Sequence, residues 1–280
     1  MIDLLLAVLT GASKVTQNTL TKQAGAKGVQ GGTFFFNAAK AGVVGVLFFF
    51  LSLGTFQFHA PTLWFAVLYT VVLAVSMVSG YLALLSGPMS LTSFIIAYST
   101  AIPCVYSILF LNERLTWWKG LGLYLLFLSV YLLRREEQEP RKKEKRWLFY
   151  LLVAFFSTGL CSVVQKQHQV LYPGEYCNEF STVAFLLTAL LFLFLGGLRR
   201  ERTTAASFAY SLPAGLFMGL ASYLTLFLSS KMDATLLFPL VTVTQTILNL
   251  AFSVLFFRER LCKRQILGFF LGLLSILLIR

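Results

Sequence analysis

Residues 98–126 read Y-S-T-A-I-P-C-V-Y-S-I-L-F-L-N-E-R-L-T-W-W-K-G-L-G-L-Y-L-L, and residues 244–272 read T-Q-T-I-L-N-L-A-F-S-V-L-F-F-R-E-R-L-C-K-R-Q-I-L-G-F-F-L-G. Glu113-Arg114-Leu115 superposes on Glu259-Arg260-Leu261 at an offset of 146, and the same offset places Ser107 on Ser253 and Gly122 on Gly268. A short charged hinge between two apolar runs is thus used twice. Thr10-Gly-Ala-Ser-Lys-Val-Thr-Gln also resembles Thr158-Gly-Leu-Cys-Ser-Val-Val-Gln, at an offset of 148, which puts Gln17 on Gln165. The two halves of the chain read as a duplication. If each half holds an odd number of membrane spans, the halves lie upside down to one another in the bilayer.

The surrounding sequence supplies the spans. Of 280 residues, 58% are hydrophobic and 12% charged, about half the charge of an ordinary soluble protein. The apolar runs do not alternate with polar residues, so the reading is helical rather than a transmembrane barrel. A span needs about 20 helical residues. Ten fit, at about 3–24, 33–53, 62–85, 89–111, 116–134, 147–169, 178–198, 207–229, 234–257 and 262–280. The predicted fold is all-α and integral to the membrane, with ten helices in two inverted five-helix repeats. Residues 1–134 form the first repeat, the charged stretch 135–146 a linker, and 147–280 the second repeat. The first helix does not read as a signal peptide, because it lacks a basic start and Lys14, Gln17 and Asn18 interrupt it.

Charge and cysteine narrow the function. A net charge of +12 on a soluble chain would suggest nucleic acid. On a membrane chain it marks loops that meet anionic lipid and set orientation, so lipid is the expected partner and nucleic acid is not. Basic residues concentrate on one side. Lys22, Lys27, seven between 134 and 146, Arg199, Arg200, Arg202, Arg258, Arg260, Lys263 and Arg264 follow the odd-numbered spans. Arg114, Lys119, Lys231 and Arg280 lie opposite. The positive-inside rule makes residues 134–146 cytoplasmic and both termini external. Cys104, Cys161, Cys177 and Cys262 are scattered and indicate neither a metal site nor a disulfide framework. No cofactor motif or phosphate-binding glycine loop is visible.

Ten spans in two five-span repeats, with N-E-R-L or R-E-R-L after the fourth span of each, resemble the drug/metabolite transporter superfamily and within it the EamA-like transporters. The resemblance covers essentially the whole chain and is strongest over Pro103–Gly122 and Leu255–Gly272. It implies a multi-pass protein of the plasma (inner) membrane carrying amino acids, other metabolites, toxic compounds or sugar phosphates through a cavity between the halves. It carries over Glu113 and Glu259 as hinge glutamates beside Arg114 and Arg260. Gly122 and Gly268 match the small residue early in the following helix, and Pro239 loosely matches a proline of the ninth span. It implies cytoplasmic termini, opposite to the basic-residue count, which is the orientation kept here.

Candidate cavity residues come from polar groups inside spans. Lys14 sits mid-span with Gln17 and Asn18 on its face. A lysine at that depth costs about 3 kcal/mol to insert. Lys40 shares a face with Asn37, with snorkelling toward the interface as the alternative. Glu179 has three readings: a counter-charge to Lys166, a proton or cation ligand, or a first-turn glutamate favoured by the helix dipole. Thr242, Gln245, Thr246 and Asn249 form a stripe in the ninth span, as ligand contacts or as interhelical hydrogen bonds. Ser99 and Tyr106 recur at seven-residue spacing in the fourth span, which Pro103 should kink. Tyr223 adds polarity to the eighth. Gly268 and Gly272 suit close packing in the bundle or in a homodimer. The 28 phenylalanines read mostly as lipid-facing bulk.

No Ser-His-Asp set or paired carboxylate supports an enzyme, and no selectivity motif supports a channel. The favoured function is a secondary transporter for a small polar metabolite. Three lysines within spans against one acidic residue near the interior favour an anion. A multidrug or amino-acid exporter of the same fold, or a non-transporting membrane subunit, are the alternatives. Coupling to protons or to exchange is open.

Overall fold

A computed structural model describes residues 2–26, 32–54, 56–86, 92, 95–96, 98–111, 113, 116–133, 145–257 and 263–279. Ten α-helices are described: α1 (Ile2–Ala26), α2 (Thr33–Leu51), α3 (Ala60–Ser86), α4 (Ala101–Phe110), α5 (Trp117–Leu133), α6 (Lys145–Leu171), α7 (Cys177–Leu198), α8 (Ala205–Ser229), α9 (Ala234–Phe257) and α10 (Lys263–Ile279). Each falls on a span read from the sequence. Five of them, α2, α3, α6, α7 and α8, contain stretches long and apolar enough to cross a membrane.

α1 shows how a polar sequence becomes a membrane helix. Thr10, Ser13, Thr16, Thr19 and Thr21 each donate their hydroxyl to the carbonyl four residues earlier, at 2.8 to 3.1 Å. Five polar groups are satisfied within the helix, so none needs water. α4 shows the reverse effect. Pro103 lacks the N–H that would donate to Ser99 O, and its ring crowds that carbonyl. A 3-10 turn occupies Tyr98–Thr100 at that point, and residues 92, 95 and 96 are helical ahead of it. The fourth span is therefore interrupted where the proline predicts.

The extensive helix pairings are unchanged when each helix is exchanged for the one five places on. α2 with α7, α4 with α9 and α5 with α10 map onto themselves. α3–α6 maps onto α1–α8, α2–α8 onto α3–α7, and α1–α9 onto α4–α6. The α5–α9 contact has no counterpart of similar extent among the described residues.

Contacts in two of the matching pairs fit an antiparallel course. Gly32 N donates to Arg202 O at 2.8 Å and Phe34 N to Glu201 Oε2 at 2.9 Å, tying the start of α2 beyond the end of α7. At the other end Gln57 N donates to Glu179 at 3.2 Å, tying the loop after α2 to the start of α7. Ser129 Oγ, late in α5, donates to Gly268 O, early in α10, at 2.7 Å. α3 and α6 are also antiparallel, joined at Thr62–His168, Tyr69–Gln165 and Ser76–Thr158.

Close approach depends on a few glycines. A Cβ at Gly45 would lie 2.7 Å from Leu186 Cδ2, and one at Gly215 would lie 2.8 Å from Lys40 O. One at Gly272 would lie 2.7 Å from Ser129 Oγ. Gly272 is thus used between α5 and α10, inside the bundle. The phenylalanines divide between core and surface. Phe48, Phe180, Phe185 and Phe192 are among the largest fully buried side chains, whereas Phe50, Phe58, Phe110, Phe194 and Phe270 are exposed. Phe48 and Phe185 stack at 6.3 Å across α2 and α7.

Candidate functional site

The three lysines within spans have different environments. Lys166, on α6, is fully paired. Its Nζ lies 3.5 Å from Glu113 Oε1 and donates to Ser229 O at 3.2 Å and Met232 O at 2.8 Å. The suggestion that Glu179 offsets Lys166 is therefore corrected. Glu113 is the partner, because the α4–α5 hinge meets the end of α6, whereas Glu179 sits at the α2–α3 corner and accepts from Gln57 N. Glu179 is buried in the first turn of α7, as the helix-dipole reading requires.

Glu113 does more than mark a hinge. Oε1 accepts from Ala234 N at 2.9 Å, and Oε2 accepts from Thr235 N at 3.2 Å and Thr235 Oγ1 at 3.0 Å. Those amides are among the unpaired donors at the start of α9, so the carboxylate caps a helix from the other half of the chain. Arg114, Glu259 and Arg260 lie outside the described residues.

Lys40 is buried on α2, at 6% exposure, and makes no hydrogen bond or ion pair with the described residues. Its Nζ is 5.9 Å from the centroid of the Phe36 ring. Asn37, also buried, donates to Thr33 O at 3.0 Å in its own helix. Lys14 is half-buried on α1 and likewise has no hydrogen bond or ion pair with the described residues. Gln17 is half-buried beside it, and Asn18, one residue further, is exposed.

The other candidates are mostly engaged. Tyr106 Oη donates to Gln167 Oε1 at 2.9 Å. Thr242 donates to Phe238 O at 3.0 Å and Thr246 to Thr242 O at 2.8 Å, so two hydroxyls of the ninth-span stripe are satisfied within α9. Gln245 is half-buried and its backbone N is 3.1 Å from where a Cβ on Gly11 would sit. The side chain of Asn249 lies outside the described residues. Ser99 is buried in the 3-10 turn. Tyr223 is exposed, with its ring against Phe48 and Phe227.

Several polar contacts escaped the sequence reading. Trp147 Nε1 donates to Thr92 Oγ1 at 2.9 Å, and Gln165 Nε2 donates to Tyr69 Oη at 3.0 Å. His59, Thr62, His168 and Gln169 form a chain at 2.9, 3.2 and 3.0 Å. Neither histidine carried a motif, and the contact joins residues 106 positions apart. Ser181 Oγ, Thr182 Oγ1 and Asn178 Oδ1, on one face of α7, are enclosed without a hydrogen-bond partner among the described residues. Their spacing at i, i+3 and i+4 is the one signal that could have grouped them. Among the described residues no three His, Cys, Asp or Glu side chains are grouped to hold a metal.

A ten-helix bundle of this pairing, crossed by few charges, defines a polytopic membrane protein. Residues 145–280 match the EamA-like transporter family. The resemblance carried by the hinge motifs is thus matched by a family model over the second half of the chain, which is similar to membrane transporters of that family. A protein of solved crystal structure has the same fold, with a TM-score of 0.78 and 14% identity over 98% of this chain and 97% of that one. No curated protein sequence matches the chain.

Proposed function

We propose that the protein is a secondary transporter that moves a small polar metabolite, preferentially an anion, by alternating access between two inverted five-helix repeats. The observation that carries this is the contrast among the lysines. Lys166 is neutralised by Glu113, whereas Lys40 is as deeply buried and has no such partner among the described residues. An ammonium taken out of water is strongly unfavourable unless a counter-charge or water reaches it. A transported anion supplies that counter-charge, with Lys14 as the second cation. Gln17, Asn37 and Gln245 complete the proposed cavity as neutral hydrogen-bonding groups.

The antiparallel pairing of α2 with α7 and of α5 with α10 supports inversion, since matching helices of parallel repeats would point the same way. The basic-residue bias supports residues 134–146 in the cytoplasm of a cell bounded by a plasma membrane. The test is a metabolite screen by thermal stabilisation, followed by flux of each hit into liposomes with and without a pH gradient. Stabilisation by anions, with saturable flux lost in Lys40→Met, is the expected result. Stabilisation confined to cationic hydrophobic compounds rejects the anion reading in favour of a drug exporter, and absence of flux for every hit favours a non-transporting subunit.

A further inference from the structure

The linker at residues 134–146 leads into the start of α6, so contacts at the end of α6 mark the opposite end of the bundle. At that end four contacts join the halves. Lys166 meets Glu113 of the α4–α5 hinge at 3.5 Å, Gln167 accepts from Tyr106 of α4 at 2.9 Å, and His168 lies 3.2 Å from Thr62 of α3. Gln57 and Glu179 add a fourth bridge, from the α2–α3 corner to α7. In every case one partner belongs to the first half and the other to the second.

Only one of these bridges carries full charge on both sides. Both partners are nearly enclosed, with side-chain exposures of 8% and 9%. Each also holds a helix end. Glu113 caps the start of α9 with both oxygens, and Lys166 takes the carbonyls of Ser229 and Met232 at the end of α8. The α8–α9 turn is gripped from both sides by one ion pair. The repeat alignment that sets Gln17 on Gln165 sets Asn18 on Lys166. Asn18 is neutral and exposed. The matching position in the first half therefore cannot form the same ion pair.

We infer that the Glu113–Lys166 pair is the latch of one of two gates, closing the end opposite the 134–146 linker, and that the neutral Asn18 cannot supply the same latch at the matching position of the first half. The chain rests shut at the Glu113 end, held there by this pair. Breaking the pair frees the α8–α9 turn from the first half and opens that end. This rests on the alternating-access reading given above, and it adds which contact must break and which end is shut at rest.

The test measures distance and needs no substrate. With Cys104, Cys161, Cys177 and Cys262 replaced, spin labels are placed at Phe56 in the α2–α3 corner and at Lys231 in the α8–α9 turn, both exposed. In nanodiscs the otherwise unaltered protein should give one short distance. Glu113→Gln keeps the shape of the cap and removes its charge. Lys166→Gln does the same from the other side and decides the matter should the first variant fail to fold. Either should raise the long-distance population by roughly tenfold or more, the factor expected for a lost charged hydrogen bond. A cap that serves only structure would lower thermal stability and leave the distances unchanged in folded protein, and that result overturns the latch. Opening in both variants without flux of any metabolite would sink the transport reading alone. Flux with unchanged distances would sink the latch alone.

Discussion

Gly45 is an exacting position at the contact between the halves. It lies on α2, and the α2–α7 pairing is the most extensive among the described residues. A Cβ there would sit 2.7 Å from Leu186 Cδ2, 2.8 Å from Leu186 Cγ and 2.9 Å from Leu186 N. A different Leu186 rotamer can relieve contacts with the side-chain carbons but not the one with the backbone nitrogen. Ordinary carbon contacts fall at about 3.5–4.0 Å, so α2 and α7 must move apart by several tenths of an ångström. Overpacking of this kind costs about 1–3 kcal/mol. Helix propensity opposes it, since alanine is favoured over glycine in a helix interior by about 0.5–1 kcal/mol. The net for Gly45→Ala is a loss of up to about 2 kcal/mol. Gly80, inside α3, supplies the control, because a Cβ there meets nothing within 4 Å. Gly80→Ala should keep the propensity gain and be neutral or stabilising. The assay is reversible unfolding in bicelles, with membrane abundance as a second reading. If Gly45→Ala proves as stable as Gly80→Ala, the claim that backbone proximity sets the α2–α7 contact is wrong.

Three further outcomes are expected. Ser129→Ala removes the bond to Gly268 O between α5 and α10 and should cost about 0.6 kcal/mol, the average for such bonds in a membrane bundle, in the same unfolding assay. Lys14→Met should reduce flux of the metabolite identified by screening while leaving protein abundance largely intact; unchanged flux would remove Lys14 from the site. Single cysteines at Gln138 and at the C-terminus, probed with an impermeant reagent in intact cells, should label at the C-terminus only. Labelling at Gln138 alone reverses the orientation.

The ten helices were legible in the sequence because a span is a local property, set by the length and hydropathy of one stretch of chain. The pairing of halves was legible for a similar reason, since the E-R-L hinges and the two glutamines are repeated at nearly constant offset. Lys14 and Lys40 stood out as charges inside apolar runs before any contact was known. Which lysine is matched could not be read the same way. Glu113 and Lys166 are 53 positions apart, and only the packing of α4 against α6 brings the carboxylate to the ammonium. Glu113 read as a hinge because its sequence neighbours are charged, and it proves to be a cap because the first turn of α9 arrives from the other half of the chain. The burial of Phe48 and Phe185 was hidden too, as phenylalanine suits lipid and core alike. Composition and period thus decide what can enter the bilayer. Which polar groups are spent on one another, and which are left for a ligand, is decided by helices that meet only in the folded bundle.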